Sequence, residues 1–155
     1  MSDLKESAAS KILRVILYAA FAAGLAATVT MPFMIDLYMQ YIYDVYAIRE
    51  GYRLFITVFL MLAGALGLFI IYQLITMLRT IRKDPFVKSN VKSLNIIGAA
   101  AFITAALFFA KCLLYVTLLT LLGGICLVIL GLFALTLASL FAKAVEYKEE
   151  NDLTI

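Results

Sequence analysis

The sequence predicts an all-α polytopic membrane protein with four transmembrane helices in one bundle. Hydrophobic residues fill 65% of the 155 positions, charged residues fill 15%, and the mean hydropathy is +1.04. This composition is far too apolar for a soluble domain. Because a span needs about 20 apolar residues, the chain is expected to form a single membrane domain with spans at about 13–35, 54–78, 94–114 and 121–145.

A basic stretch interrupts the apolar sequence near its middle and predicts the orientation of the spans. The loop at residues 79–93 contains one acid, Asp84, and five basic residues: Arg79, Arg82, Lys83, Lys88 and Lys92. Basic residues that flank membrane spans stay on the cytoplasmic side, and the polar N-terminal segment is also basic. Both termini are therefore expected to be cytoplasmic, with an outer loop at residues 36–53.

The same loop contains a predicted helix start. Asp84 can accept hydrogen bonds from free backbone N–H groups, and proline suits the first helical position. The third helix is therefore expected to begin at Pro85. We also expect Phe86 to pack against the inner ends of span two or span four and thereby to hold the loop in place.

Features of the first two spans predict that the first is not removed as a signal peptide and that the second packs closely against another helix. The first apolar run covers residues 15–35, longer than the roughly 7 to 15 residues of a signal-peptide core, so a retained span is expected. Pro32 should kink or end this helix, because it removes a backbone donor. Ala63 and Gly67 are the predicted close-packing pair of span two.

The outer loop is rich in tyrosine. Five of the nine tyrosines of the chain lie within residues 36–53. Apolar positions from Leu37 to Tyr46 recur at helical spacing and predict a short amphipathic helix on the outer surface. Two interpretations stay open: an aromatic belt at the lipid headgroups, or a surface that senses an external peptide or lipid.

Polar and sulfur-containing side chains of the later spans predict no chemistry. Lys111 is expected to snorkel as an anchor at the outer end of span three. Cys112 and Cys126 are predicted to lie at similar depth, so the sequence leaves a disulfide between them open. The chain has no histidine, and its carboxylates fall outside the spans, so we expect no metal and no cofactor.

Helical periodicity continues past span four into an acidic tail. Glu149, Glu150 and Asp152 are followed by the apolar Leu153 and Ile155. The tail is expected to dock near the basic loop or to present itself to a partner. A frayed end is the alternative.

Two motifs resemble a known family. One contains Pro85, Phe86, Asn90, Leu94 and Gly98; the other is the closing EENDLTI at residues 149–155. With the length and the four-span pattern, they resemble the small bacterial membrane family catalogued as domain of unknown function 2975. The resemblance implies a bacterial cytoplasmic membrane protein. It also implies a gene beside a small helix-turn-helix regulator, and hence a membrane partner for a transcription factor.

The residues favour an interaction protein over an enzyme. No histidine or carboxylate lies within the spans to activate a nucleophile. Direct nucleic-acid binding is not expected either. The net charge of +3 comes mostly from segments that flank the spans, where basic residues set the topology and contact anionic lipid headgroups. The leading interpretation is a non-enzymatic membrane protein that tethers or regulates a cytoplasmic partner, such as a small helix-turn-helix regulator. The alternatives are a small transporter or channel component, or an external peptide or lipid sensor.

The expected partners are membrane lipids, the cytoplasmic regulator and, through the small-residue stripes, further copies of the chain. The predicted partner-binding residues lie in the central loop and the tail. They are Arg79, Arg82, Lys83, Pro85, Phe86, Asn90, Glu150, Asp152, Leu153, Thr154 and Ile155.

Overall fold

The fold consists of four long α-helices in the part of the chain that the structure describes. A computed structural model describes residues 8–43, 51–81 and 84–153. The helices are α1 (Ala8–Tyr43), α2 (Tyr52–Ile81), α3 (Lys88–Leu114) and α4 (Leu118–Leu153). Each is long and apolar enough to cross a membrane, and the described residues contain no strand. The all-α, four-span prediction is confirmed, whereas the membrane limits of the spans stay a prediction.

The helices pack in chain order. Backbone contacts join α1 to α2, α2 to α3 and α3 to α4, and within the described residues the backbone of α1 approaches α2 alone. Ile35 is the one buried residue among those of α1 whose side chains are described. The core therefore lies among α2, α3 and α4, and most of α1 is exposed to its surroundings.

Small residues bring α3 and α4 together. A Cβ atom built on Gly98 would lie 2.9 Å from Leu135 and 3.3 Å from the backbone oxygen of Gly131. Ala101 on α3 is fully buried, and Ala134 on α4 is 4% exposed. The association of two helices in lipid is stabilised mainly by close van der Waals contact, which small side chains permit.

The contact between α1 and α2 uses a different glycine from the predicted one. A Cβ atom on Gly64 would lie 2.7 Å from the hydroxyl of Thr28, and one on Gly24 would lie 3.1 Å from Leu68. Nothing lies within 4 Å of the same position on Gly67. The prediction that Gly67 packs closely is wrong, because Gly64 occupies the face that meets α1.

Helix α1 is longer than predicted. It passes through Pro32 and ends at Tyr43, so of the two predicted effects of Pro32, a kink or a helix end, the helix end is wrong and the kink stays a prediction. A helix end inside the membrane would leave further backbone groups unpaired, which costs more than the one donor that proline lacks. The first part of the predicted outer loop thus continues α1 and is not a separate surface helix, and residues 44–50 lie outside the described part.

The C-terminal part of α1 and the first turn of α2 are joined by an ion pair. The guanidinium of Arg53 contacts the carboxylate of Asp36, with an Nη2–Oδ1 distance of 2.6 Å. Both side chains are exposed by 40% or more, at 65% and 42%. Exposed pairs contribute about 0 to 1 kcal/mol, so this pair orients the two helix ends more than it stabilises them.

The turn between α3 and α4 lies at the same end of the bundle, because the rings of Tyr52 and Tyr115 are 4.6 Å apart, and it adjoins Lys111. This residue is only 4% exposed. Its ammonium donates to the hydroxyls of Thr117 and Thr120, each at 2.9 Å. The expected snorkelling is wrong, because Thr117 in the short turn and Thr120 in the first turn of α4 place two hydroxyl acceptors beside the Lys111 ammonium.

The cysteines do not pair. Cys112 and Cys126 are both free thiols, the first half-buried and the second exposed. Among the described residues, no group of three or more histidine, cysteine, aspartate or glutamate side chains gathers at one point.

Candidate interaction surface at the central loop

The loop before α3 forms a turn around Asp84. The carboxylate accepts a hydrogen bond from the backbone N–H of Phe86 at 3.0 Å. Pro85 and Phe86 lie in a bend, and α3 begins at Lys88 with Val87 as its N-terminal flanking residue. The prediction that the helix starts at Pro85 is wrong, because Asp84 caps a local turn and not the first turn of the helix.

Asn90 fastens this turn to the first turn of α3. The residue is 1% exposed, and its side-chain amide donates to the backbone oxygen of Pro85 at 2.8 Å. Its backbone N–H donates to the oxygen of Val87 at 3.0 Å. The loop is therefore closed from within by the side-chain N–H of Asn90, while the buried Oδ1 of the same amide has no hydrogen-bond partner among the described residues.

Phe86 packs on α4. Its ring centroid lies 5.9 Å from that of Phe141, with an angle of 46° between the rings. Of the two predicted contacts, with span two or with span four, the one with span four is confirmed. Phe86 is nevertheless 42% exposed, so one part of the ring holds the loop and the other remains available on the surface.

Two ion pairs join the end of α4 to the loop. Lys148 donates to the carboxylate of Asp84, and Lys88 lies 2.8 Å from the carboxylate of Glu149. The expectation that the acidic tail docks near the basic loop is confirmed for Glu149. The side chains of Asp152 and Leu153 and the whole of Thr154 and Ile155 lie outside the described part, so the predicted anchoring role of the apolar tail stays a prediction.

These contacts define one surface, which we call the loop platform: residues 84–90 together with Phe141, Lys148 and Glu149. Its parts come from the loop, the start of α3 and the end of α4. Each contact is modest alone. Together they hold the loop in one shape on the end of the helix pair.

The platform has a predicted pH dependence. The hydrogen bond from Lys148 lowers the pKa of the Asp84 carboxyl, outweighing the opposing effect of burial, and the Phe86 N–H lowers it further. A carboxyl whose pKa is lower in the folded than in the unfolded protein stabilises the fold at pH values above its unfolded-state pKa of about 4. This stabilisation is lost as the pH falls through the folded-state pKa.

We therefore expect the melting temperature of the wild type in detergent to exceed that of Asp84→Asn at pH 7. The difference should shrink as the pH falls below about 4. Thermal unfolding of both proteins across this range measures it. Parallel curves for the two proteins would contradict a contribution from the Asp84 charge.

Arg79 is engaged within the chain. Its guanidinium donates to the hydroxyl of Tyr18, at 2.5 Å from Nη2 and 3.2 Å from Nε. The guanidinium carbon also lies 5.9 Å from the centre of the Tyr18 ring, within the range of a cation–π contact. Arg79 therefore joins α2 to α1 at the loop end of the bundle.

Residues 37–155 match the family described as protein of unknown function (DUF2975). The chain belongs to this family. No curated protein and no solved structure shows significant similarity to it.

In this DUF2975 chain, the predicted partner-binding residues separate into groups. Pro85, Phe86 and Asn90 form the loop platform, whereas Arg79 faces Tyr18. Glu150 lies in α4 and interacts within the chain. Arg82 and Lys83 lie outside the described part.

The sequence predicted that Phe86 would meet span two or span four and that the acidic tail, with Glu149, would dock near the loop. It did not identify Phe141, Lys148 or Lys88 as members of the site. Spacing offered one signal: Phe141, Lys148 and Phe86 lie on segments that the four-span pattern brings to the same end of the bundle. Nothing in the sequence specified the pairs.

Proposed function

We propose that this DUF2975 protein is a non-enzymatic, multi-pass protein of the bacterial cytoplasmic membrane that tethers or regulates a cytoplasmic protein through its loop platform. In this proposal both termini and the loop at residues 79–93 face the cytoplasm, as the distribution of basic residues predicts. The family resemblance suggests a small helix-turn-helix regulator as the partner.

One observation supports the proposal most. Phe86 is a 42% exposed aromatic ring on a loop that is held from three directions, by Asn90, Phe141 and Lys148. Binding energy at protein interfaces is concentrated in aromatic anchors, and a preorganised anchor loses less entropy on binding than a mobile one. The basic residues beside it would steer a partner with an acidic surface.

Capture of the partner tests the proposal. Phe86→Ala should reduce crosslinking and affinity capture of one cytoplasmic protein from native membranes by about tenfold or more, as loss of an anchor worth about 2 kcal/mol implies. Since Phe86 is only partly buried, the variant should lose less stability than the roughly 3 to 5 kcal/mol of a buried phenylalanine. Captured proteins are identified by mass spectrometry.

Phe133→Ala is the matched control, because Phe133 is 61% exposed on α4 and away from the platform. It should leave capture unchanged. Leu153→Asp tests the tail in the same assay, with melting temperature measured in parallel. Undiminished capture by Phe86→Ala would contradict the proposal, as would labelling of Ser89→Cys by an impermeant reagent applied to intact cells.

A second candidate function, sensing of an external apolar peptide or lipid, has one supporting observation. An apolar groove of about 670 Å³ lies between α1 and α2 near the Asp36–Arg53 pair, lined by Met34, Ile35, Leu37, Tyr38, Tyr52, Ile56 and Leu60. The transport alternative has no comparable feature among the described residues. Ion or solute flux after reconstitution would favour transport over both.

A further inference from the structure

A groove runs between α3 and α4 beside the loop platform. It has a volume of about 510 Å³, within the roughly 300 to 1,000 Å³ of ligand pockets. Lys88, Lys92, Glu146 and Glu149 line it near the loop, and Ile96, Ala99 and Ala142 line it further along the helices. Ala99 lies about 16 Å along α3 from Lys88, at 1.5 Å per residue. The groove is therefore charged at one end and apolar along its length.

The charged end contains an unused pair of opposite charges. Lys88 and Glu149 already contact each other at 2.8 Å. Lys92 and Glu146 line the same groove, one on each helix, and neither contacts an oppositely charged side chain among the described residues. Within the part of the chain that the structure describes, Lys92 and Glu146 therefore have no ionic partner, and the four charged side chains of the groove sum to zero.

This arrangement is complementary to one class of lipid. We infer that the groove binds a phospholipid with a primary-amine headgroup, phosphatidylethanolamine, with its phosphate on Lys92 and its ammonium on Glu146. The amide of Asn95, which also lines the groove, provides a donor for the phosphate. One acyl chain would then lie along Ile96, Ala99 and Ala142. This assignment is independent of the proposed tethering function.

Other headgroups fit the groove less well. Phosphatidylglycerol has a phosphate for Lys92 but no cation, so its headgroup leaves the Glu146 carboxylate without an ionic partner. Phosphatidylcholine has a cation without an N–H group, so it cannot donate a hydrogen bond to Glu146. Hydrogen bonds between charged groups contribute more than neutral ones, and the expected order of affinity begins with phosphatidylethanolamine.

Lipid binding to the delipidated full-length protein in detergent tests the inference. Native mass spectrometry measures the bound fractions of phosphatidylethanolamine, phosphatidylcholine and phosphatidylglycerol. The wild type should prefer phosphatidylethanolamine over either competitor by about tenfold or more, the order expected for one charge-assisted hydrogen bond. Glu146→Gln should bring the ratio to phosphatidylcholine close to one, whereas Lys92→Gln should weaken binding of both lipids together.

Lys143→Gln is the matched control, because Lys143 is exposed on α4 and does not line the groove. It should behave as the wild type, and all variants should melt within a few degrees of it. A wild type without headgroup preference would overturn the inference. It would also be overturned if both groove variants retained wild-type lipid ratios but lost the captured cytoplasmic protein, since the groove would then be a protein-binding surface.

Discussion

Gly98→Val should destabilise the protein by about 2 kcal/mol or more, the cost typical of overpacking a tight interface. A Cβ atom at Gly98 would lie 2.9 Å from two side-chain carbons of Leu135 and 3.3 Å from the backbone oxygen of Gly131. The leucine can rotate, but the backbone oxygen moves only if α4 moves as a whole. We therefore expect α3 and α4 to separate, with a lower melting temperature in detergent.

Gly67→Ala is the matched control for this effect. Nothing lies within 4 Å of a Cβ atom at Gly67, and alanine is favoured over glycine inside a helix by about 1 kcal/mol. This variant should melt at or slightly above the wild-type temperature. Equal melting temperatures for Gly98→Val and the wild type would contradict the close approach of α3 and α4 at Gly98.

The double variant Thr117→Val with Thr120→Val should also destabilise strongly, by about 3 kcal/mol or more. It removes both acceptors of the Lys111 ammonium and leaves a 4% exposed cation without partners. Each hydrogen bond to a charged group contributes about 1.5 to 3 kcal/mol. Thermal unfolding of the full-length protein in detergent measures the loss.

Removing the charge as well should restore stability. Lys111→Met in the double-valine background replaces the buried Lys111 and Thr120 and the exposed Thr117 by apolar side chains of similar size, and such a replacement of buried polar groups is often neutral or stabilising. Thr136→Val is the control, because the exposed Thr136 hydroxyl bonds only to the oxygen of Leu132 in its own helix. If the double variant were as stable as the wild type, the hydroxyls would not hold the buried cation.

The four helices and the polar break between α2 and α3 were predictable because they depend on local composition. Apolar tracts of span length predict helices wherever they occur, and the charged loop ends two of them. The contact of Phe86 with α4 was predictable in outline, since a large aromatic residue beside a helix start has only the nearest helix ends to pack against.

Helix limits were less predictable, because side chains compete for the same backbone groups. Asp84 accepts the N–H of Phe86, and Asn90 donates to the oxygen of Pro85, so α3 begins at Lys88. Near Pro32 the helix is longer than the local rule predicts, and α1 continues to Tyr43. In both places a local rule was correct about the hydrogen bonding of one residue and wrong about the extent of the helix.

The sequence by itself determined the helical class, the number of spans and the place of the central loop. Tertiary structure alone decided which residues meet: Lys148 with Asp84, and Tyr18 with Arg79. These partners lie 64 and 61 residues apart. The physical reason is that helices apolar on every side carry little sign of which face is buried. The register of one helix against the next decides which distant residues meet. It depends on close contacts such as Gly98 with Leu135, which exist only once the helices have packed.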